Sequence, residues 1–298
     1  MNVQSSQLAS RAASDTGVQS PYVYNRSYRG QVKALVLDWS GTVADAYVLA
    51  PAVVFVEVFR RQGVEVSMTE ARGPMGVKKD VHIRAMTEMP QIRERWKAAH
   101  GKYPDESDVM RMYDDFVPLQ LDCLRQYGTL LPGVAETTQR LQKEHGIKIG
   151  SSTGFTRAMV DILLEEARKQ GYSPDATVGG DEVEHGARPK PFMIYRNLDM
   201  LDVHPIQSVV KVDDTVSGIG EALEAGCWAV GIARYSNYMD IDSAEQAASL
   251  SEGEIQRRLE KTREILRKDG AHYVIDEFSE LPAVIDHINA RLARGEKP

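Results

Sequence analysis

Short apolar runs alternate with helical segments along most of this chain, and that alternation constrains its fold more than any other feature. The apolar runs cover residues 34–37, 147–150, 209–212, 228–232 and 273–275. Helices are predicted between and after them, as over residues 135–145, 159–171 and 281–292. Strands that alternate with helices form parallel sheets that are covered on both faces. The sequence therefore predicts an α/β fold with a Rossmann-like parallel sheet core and helices on both faces.

A long stretch after the first run lacks any convincing strand. Residues 47–128 have the spacing of consecutive helices and follow directly on the first strand and its loop, so they predict an all-helical inserted domain. The core domain then comprises residues 30–46 and 129–298. Residues 1–29 lack apolar periodicity and predict a disordered tail. Within the core, residues 243–269 predict one long charged helix.

Charge and composition argue against several classes of partner. The net charge is −7, which disfavours a nucleic-acid or anionic-membrane surface but allows a local basic pocket for a small phosphate. No apolar run approaches the length that spans a bilayer. The two cysteines, Cys123 and Cys227, lie far apart without metal-ligand spacing, so they predict reduced thiols in a cytoplasmic protein.

Polar side chains occupy four loops of the predicted sheet. They are Asp38, Thr153 with Gly154, Arg188 or Lys190, and Asp213 with Asp214. Ligands of open α/β sheets bind at the carboxyl ends of the strands. Two acidic loops can hold one Mg²⁺, while a hydroxyl, backbone N–H groups and a cation can hold phosphoryl oxygens. Asp38 alone is equally consistent with a cap of the following helix, but the four loops together favour a phosphoryl-binding site.

The first loop reads Asp38-Trp39-Ser40-Gly41-Thr42, and with the later loops it resembles the haloacid dehalogenase superfamily. The resemblance covers the chain from about residue 33 onward. It implies that Asp38 attacks phosphorus. It implies a Mg²⁺ site formed by Asp38, Asp214 and the backbone carbonyl of Ser40. The phosphoryl oxygens would contact Thr153, Gly154 and Arg188.

Ser40 departs from the pattern of the superfamily's phosphatases, which carry at this position an aspartate that protonates the leaving alkoxide. Serine is not an acid at neutral pH, and a general acid contributes roughly 10²–10⁴-fold to the rate. One branch of the superfamily, the phosphonoacetaldehyde hydrolases, cleaves a phosphorus–carbon bond and needs no acid there. That branch usually has alanine at this position, so Ser40 is a small deviation from it as well.

The inserted domain contains a string that is similar to the cap segment of this branch, with Pro74, Met75, Gly76, Lys79, His82 and Arg84. The resemblance implies that the inserted domain is a cap and that Lys79 forms a Schiff base with an aldehyde. His82 would transfer protons, and Met75 would line the same pocket. Lys78 competes with Lys79 for this role. The resemblance also implies a homodimer formed through the cap, which the apolar helix around residues 53–59 allows.

The predicted reaction is therefore Mg²⁺-dependent hydrolysis of a small-molecule phosphonate, phosphonoacetaldehyde, through a lysine Schiff base and an aspartyl phosphate. Two alternatives stay open. The chain could be a superfamily phosphatase or phosphomutase that acts on a small phosphate ester. It could also be a scaffold that binds without turnover, as Ser40 and Gly218 would allow, because Gly218 stands where the superfamily often has a further acid.

Overall fold

The computed structural model describes residues 27–298, so residues 1–26 of the predicted tail lie outside the described residues. One sheet contains the parallel strands β1 (Ala34–Leu37), β2 (Lys148–Ser151), β3 (Val209–Asp213), β4 (Trp228–Ile232) and β5 (Tyr273–Ile275). Their order across the sheet is β2-β1-β3-β4-β5. The predicted α/β fold is confirmed, and β1 has β2 and β3 as its neighbours in the sheet.

Both faces of this sheet are buried. In β1, Leu35 and Leu37 belong to a large apolar cluster, whereas Ala34 and Val36 belong to a second cluster. Successive side chains of a strand point to opposite faces, so a strand that is covered on both sides is apolar at every position. This is why the sequence contains continuous apolar runs rather than an alternating pattern.

Twelve α-helices lie within residues 27–298. Five lie between Ala44 and Leu130, namely α1 (Leu49–Arg61), α2 (Met68–Arg72), α3 (Lys79–Glu88), α4 (Pro90–His100) and α5 (Glu106–Cys123). Seven accompany the sheet, namely α6 (Val134–His145), α7 (Arg157–Lys169), α8 (Phe192–Leu201), α9 (Val216–Ala225), α10 (Ala244–Ser249), α11 (Glu252–Lys268) and α12 (Leu281–Ala293). The first five form the helical cap.

The chain leaves the core for the cap and returns to it at neighbouring points. Ala44 and Leu130 form an antiparallel bridge, and the N–H of Leu131 donates to the carbonyl of Val43 at 2.8 Å. Between these two linkers the described residues contain helices and loops but no multi-residue strand. Two adjacent linkers attach the cap, and we propose residues 47–128 as its extent.

Helix α1 directs its apolar residues into the cap. Phe55 and Phe59 are fully buried, and Phe55 stacks on Phe116 of α5 with 4.5 Å between ring centroids. Asp45 caps the helix, since its Oδ1 accepts from the N–H groups of Leu49 and Ala50, each at 3.0 Å. The apolar stretch around residues 53–59 is thus largely used inside the chain, and the homodimer stays a prediction.

The prediction of one helix over residues 243–269 is wrong. Helix α10 ends at Ser249, and α11 begins at Glu252 after a break in the chain. Ser251 caps α11, because its hydroxyl accepts from the N–H of Glu254 at 3.3 Å. Serine followed three residues later by glutamate is a helix-start signal that outweighed the continuous charge pattern. Across residues 27–298, no helix combines the length and the apolar character that crossing a membrane requires.

Candidate active site

The carboxyl ends of neighbouring strands bring the predicted core residues together. Asp38 follows β1, Thr153 follows β2 and Asp214 follows β3, and the N–H of Asp38 donates to the carbonyl of Val212 at 3.0 Å. One cavity is lined by seven of the nine predicted site residues, Asp38, Ser40, Met75, Lys79, Thr153, Gly154 and Arg188. Its free volume is about 20 Å³, roughly the room that one water molecule needs. The cap therefore lies closed over the strand ends.

Arg188 is the centre of the polar contacts. Its Nη2 donates to Asp38 Oδ1 at 2.7 Å and to the carbonyl of Ser152 at 2.6 Å, and its Nε donates to Glu221 Oε2 at 3.0 Å. Nη2 also lies 3.1 Å from Asp213 Oδ2. Burial opposes the charge of this guanidinium, but the three carboxylates outweigh burial and hold its pKa above the ordinary value. Arg188 is a fixed cation beside the carboxylate of Asp38.

Two buried charged residues of this site escaped the sequence analysis. Lys211, in the middle of β3, is fully buried, and its Nζ lies 2.8 Å from Asp213 Oδ2. Glu221 of α9 is also fully buried and accepts from the hydroxyl of Ser152 at 2.9 Å. The available signal was a lysine inside an otherwise apolar strand, since a lysine is almost never fully buried unless it is paired.

Three strand-end aspartates form a cluster that suits a divalent cation. Asp38, Asp213 and Asp214 each offer an oxygen within 4.8 Å of the others. Oδ1 of Asp214 is buried and has no hydrogen-bond partner in the part of the chain that the structure describes. Burial, and then the charges of the other two aspartates, raises the pKa of Asp214 well above its usual range. Carboxylate oxygens and a net negative charge are what a hard cation such as Mg²⁺ requires.

Gly41 allows the two acidic loops to approach each other. Its φ is +79°, a left-handed conformation that L side chains rarely adopt. A Cβ at this position would lie 2.5 Å from Asp214 Oδ2. Both the backbone conformation and the neighbouring carboxylate therefore require glycine in the turn that follows Asp38.

Lys79 reaches the cavity from the cap. It is the first residue of α3 and is 4% exposed, and its Nζ lies 4.5 Å from the ring centroid of Phe155. Burial lowers the pKa of Lys79 to about 8, while the charge of Asp38 opposes this shift and that of Arg188 adds to it. Within residues 27–298, Nζ makes no hydrogen bond or ion pair. A substantial fraction of this amine is therefore neutral near pH 8.

The structure distinguishes between two pairs of neighbouring cations, each of which could fill one role on sequence grounds alone. The side chain of Lys78 is 37% exposed and its Nζ lies 3.6 Å from Asp80, outside the cavity that Lys79 lines. Lys190 donates to an exposed backbone carbonyl at 2.8 Å, whereas Arg188 lines the cavity. Of these two pairs, Lys79 and Arg188 are the members that line the cavity.

His82 lies one helical turn from Lys79 but does not line the cavity. Its Nε2 contacts the carbonyl of Ala71 at 2.8 Å, so this nitrogen carries the proton. Its ring stacks on Phe55 with 3.8 Å between centroids. Burial, together with the charge of Lys79, lowers the pKa of His82 well below its usual value. His82 is thus a neutral residue of the cap interior.

Two glycines allow the cap loop to touch the core. A Cβ at Gly154 would lie 2.6 Å from the carbonyl oxygen of Val77, and a Cβ at Gly76 would lie 2.0 Å from Ser217 Oγ. The carbonyl of Gly76 also accepts from Arg188 Nη1 at 3.4 Å. These close contacts hold the segment before Lys79 against the strand-end loops.

Arg72 adds polar contacts at the edge of the same interface. Its guanidinium donates to Asp242 and to the carbonyl of Ile241, both in the core. Its own carbonyl accepts from Asn237 Nδ2 at 3.2 Å. The closed position of the cap is thus held by backbone and side-chain contacts on more than one side of the cavity.

Comparison with known proteins identifies the family. The model of the haloacid dehalogenase-like hydrolases matches residues 32–226, well over half of the chain. The chain is a haloacid dehalogenase-like hydrolase. The predicted superfamily is confirmed.

Three similar proteins match nearly the whole length of this chain. A phosphonoacetaldehyde hydrolase of Nitratidesulfovibrio vulgaris is 43% identical over 278 residues, which are 93% of this chain and 98% of that protein. A phosphonoacetaldehyde hydrolase-like protein of Syntrophobacter fumaroxidans is 41% identical over 278 residues, 93% of this chain and 99% of that one. The crystal structure of a phosphonoacetaldehyde hydrolase-like protein from Oleispira antarctica has a TM-score of 0.89 at 40% identity and covers 94% of this chain and 100% of that one.

Proposed function

We propose that this haloacid dehalogenase-like hydrolase cleaves the phosphorus–carbon bond of phosphonoacetaldehyde to give acetaldehyde and phosphate. The observation that carries the proposal is one cavity that contains a carboxylate, Asp38, and a buried amine, Lys79, with a serine at position 40. A nucleophile together with an amine suits cleavage of a phosphorus–carbon bond. Hydrolysis of a phosphate ester would instead require a general acid to protonate the leaving alkoxide. The names of the relatives support the same substrate.

The amine solves the problem of the leaving group. Direct cleavage of a phosphorus–carbon bond would leave an unstabilised carbanion on the departing carbon. We propose that neutral Lys79 condenses with the aldehyde and releases one water. The resulting iminium accepts the electron pair of the breaking bond, so the carbon departs as an enamine and needs no proton at that moment. Ser40 is compatible with this chemistry because no acid is required.

Asp38 is the proposed nucleophile toward phosphorus. Its carboxylate forms the new bond to phosphorus as the bond to carbon breaks, which gives an aspartyl phosphate and the enamine on Lys79. Protonation and hydrolysis of the imine consume one water and release acetaldehyde, and a second water hydrolyses the aspartyl phosphate. The sum is one phosphonoacetaldehyde and one water converted to acetaldehyde and phosphate.

The groups around Asp38 would hold the phosphoryl oxygens. Arg188 supplies a fixed cation, Thr153 supplies a hydroxyl and Gly154 supplies a backbone N–H at the same edge of the cavity. We propose that Asp38, Asp214 and the backbone carbonyl of Ser40 hold Mg²⁺. When bound, the ion would offset the repulsion between the carboxylate and the phosphonate.

His82 has a narrower proposed role than the sequence predicted. Because its Nε2 is bound to a backbone carbonyl and it lies outside the cavity lining, direct proton transfer to substrate lacks geometric support. We propose that it supports Lys79 from within the cap through the ring of Phe55, whose centroid lies 5.8 Å from Nζ. A neutral imidazole there adds no second positive charge beside the amine.

A phosphatase would need a general acid for its leaving group, and the cavity offers a serine at position 40 where that acid would stand. Asp45 is a nearby buried carboxyl whose pKa burial raises to about 7, a value that would suit a general acid. Its oxygens accept from backbone N–H groups at the start of α1, and it is not among the residues that line the cavity. No observation favours an ester as substrate over the phosphonate.

The decisive assay measures acetaldehyde and phosphate release from phosphonoacetaldehyde, with Mg²⁺ and with a chelator. We expect equal amounts of both products, dependence on Mg²⁺, and a kcat/KM that exceeds that on small phosphate esters by at least ~10²-fold, since an ester would lack its general acid. Faster turnover of esters would favour a phosphatase. No turnover of either substrate class, together with no Mg²⁺ binding, would favour a binding scaffold.

The pH dependence of kcat/KM should follow the deprotonation of the Lys79 amine. Because the reactive form is the neutral amine, kcat/KM should rise as pH rises through about 8, the pKa to which burial lowers Lys79, and should fall below it. At pH 7.5 a pKa of about 8 leaves roughly 24% of the amine neutral, against about 0.1% at the ordinary value of 10.5. A profile that is flat between pH 6.5 and 9 would argue against amine catalysis.

We propose a homodimer, which the resemblance implies, and a cytoplasmic location, which the two free cysteines favour. The cap helix that prompted the dimer buries Phe55 and Phe59 inside the chain, so a cap-mediated contact would use other residues. Sedimentation as a monomer at micromolar concentration would contradict the dimer.

A further inference from the structure

The loop that follows β4, residues 233–243, contacts both the proposed ion site and the cap. It belongs to the core, where a small apolar cluster anchors it. In this cluster Met239 and Ile241 of the loop join Leu259 of α11, and each of the three side chains is at most 1% exposed. Because its apolar residues are buried in this way, the loop is a firmly packed element of the core.

The first part of this loop holds Asp214. The N–H of Asn237 donates to Asp214 Oδ2 at 2.8 Å, and the hydroxyl of Ser236 donates to the Asp214 carbonyl at 2.9 Å. Both loop residues are buried. Oδ1 of the same carboxylate has no hydrogen-bond partner in the part of the chain that the structure describes. Asp214 thus commits one carboxylate oxygen to the loop and leaves the other available to a cation.

The same loop forms the core side of a contact with α2 of the cap. Asn237 Nδ2 donates to the carbonyl of Arg72 at 3.2 Å. The guanidinium of Arg72 donates in turn to Asp242 and to the carbonyl of Ile241. Arg72 is 4% exposed, so these contacts are shielded from water. Asn237 therefore contacts Asp214 with its backbone and the cap with its side chain.

This double contact links the cap to the ion site. The closed cavity has a free volume of about 20 Å³, so a phosphonate enters only after the cap moves away from the strand ends. That movement separates Arg72 from Asn237, the residue that also holds Asp214. Conversely, an Asp214 carboxylate that is held at Oδ1 fixes Asn237 through Oδ2. A donor that is already in place costs less ordering when the cap closes onto it.

We propose that Asn237 is a positioning residue that couples occupancy of the proposed Mg²⁺ site to closure of the cap. With Asp214 held at Oδ1, its Oδ2 orders Asn237, and Asn237 presents its amide to the carbonyl of Arg72. Coupling of this kind is reciprocal, so closure of the cap tightens Mg²⁺ binding by the factor by which Mg²⁺ favours closure. The inference rests on the proposed ion site but not on the identity of the substrate.

Asn237→Leu tests the coupling with little change in side-chain size. It keeps the backbone N–H toward Asp214 and removes the amide donor toward the cap. It also removes the buried Oδ1 of Asn237, which has no partner among residues 27–298, so the fold should tolerate the change. Asn237→Ala removes the same donor and should behave in the same way.

Thr69→Val is the matched control, because it also removes one hydrogen bond between α2 and this loop. The hydroxyl of Thr69 donates to Asp240 Oδ1 at 3.3 Å. The side chain of Asp240 is 44% exposed and stands at the surface rather than on Asp214. The control therefore weakens the cap contact without touching the residue that holds the ion site.

Two quantities are measured on the full chain without substrate. Titration calorimetry gives the Mg²⁺ affinity. Pulsed EPR gives the ratio of closed to open cap from spin labels at the exposed positions Met110 of the cap and Gln256 of the core, after Cys123→Ser removes the half-buried thiol. In the otherwise wild-type protein, saturating Mg²⁺ should raise the ratio by roughly 3–10-fold, the range that one hydrogen bond supplies.

The variants should then differ in their response to Mg²⁺. In N237L the ratio should no longer respond to the ion, and the Mg²⁺ affinity should be lower by up to the same factor. T69V should lower the ratio with and without Mg²⁺ alike and should keep the response. A wild-type response in N237L, or an equal loss of response in T69V, would overturn the proposal.

These readouts keep the inference separate from the proposed substrate. A wild-type protein that shows the coupling but releases no acetaldehyde from phosphonoacetaldehyde would refute the substrate and support the role of Asn237. A wild-type protein that releases acetaldehyde, with a cap that does not respond to Mg²⁺, would refute the role of Asn237 alone. Failure of the wild type to bind Mg²⁺ would refute the ion site and the coupling together.

Discussion

Replacement of Lys79 by methionine is expected to reduce kcat on phosphonoacetaldehyde by roughly 10⁴-fold or more, because the iminium cannot form without the amine. The same change should leave the Tm unchanged or raise it. Lys79 is 4% exposed and has no ion-pair partner in the described chain, so its charged form is poorly solvated where it lies. Methionine has a similar length and no charge to desolvate. Activity and stability should therefore change in opposite directions.

Lys78→Met provides the matched control. This neighbour is 37% exposed and pairs with Asp80 at 3.6 Å, an arrangement that contributes little to stability. We expect its kcat to stay within about twofold of the wild type, since surface changes away from the site are nearly neutral. Steady-state kinetics and thermal unfolding of both variants test the assignment. If K79M retained turnover while K78M lost it, the register of α3 over the cavity would be misassigned.

Replacement of Asp38 by asparagine should reduce turnover by roughly 10⁵-fold or more, since it removes the proposed nucleophile toward phosphorus. The amide keeps the size of the side chain and can still accept a hydrogen bond from Arg188, which lies 2.7 Å from Asp38 Oδ1. The fold should therefore persist. Imine formation at Lys79, which comes before the attack on phosphorus in the proposed reaction, should also persist.

Borohydride reduction in the presence of phosphonoacetaldehyde tests this division of roles. In the wild type, reduction should trap a two-carbon group on Lys79 that has lost phosphorus. In D38N, the trapped group should still carry the phosphono group, which peptide mass spectrometry distinguishes directly. A dephosphonylated adduct in D38N would mean that another residue attacks phosphorus. No adduct in either protein would refute the Schiff base.

The topology of the core could be predicted from the sequence because parallel strands put their carboxyl ends at one edge. Asp38, Thr153 and Asp214 follow three neighbouring strands, so their proximity required only the strand order and not the details of packing. The helical character of the cap followed from periodicity in the same way. Local signals therefore determined which loops meet, and the structure agrees with that expectation.

Strand order and periodicity could not show which of two neighbouring residues faces the cavity. Whether Lys78 or Lys79 faces the cavity depends on the rotation of α3 against the core, which is set by long-range contacts such as that of Gly154 with Val77. The spacing of three residues predicts His82 on the same helical face as Lys79, beside the substrate. The stacking of its ring on Phe55 instead directs it into the cap interior.

Buried charge was the other feature that the sequence concealed. Lys211 and Glu221 are fully buried, but their residue types predict exposure unless their partners are known. Those partners come from distant parts of the chain, as with Arg188 and Glu221 at 3.0 Å.

The position of Lys79 as the first residue of α3 has an electrical consequence. The aligned peptide dipoles of a helix place roughly half a positive charge at its N-terminus. That field disfavours an ammonium ion and so favours the free amine. In the proposed reaction the same field would favour uptake of electrons by the iminium nitrogen, so the direction of the α3 backbone would assist both the formation of the adduct and its collapse to the enamine.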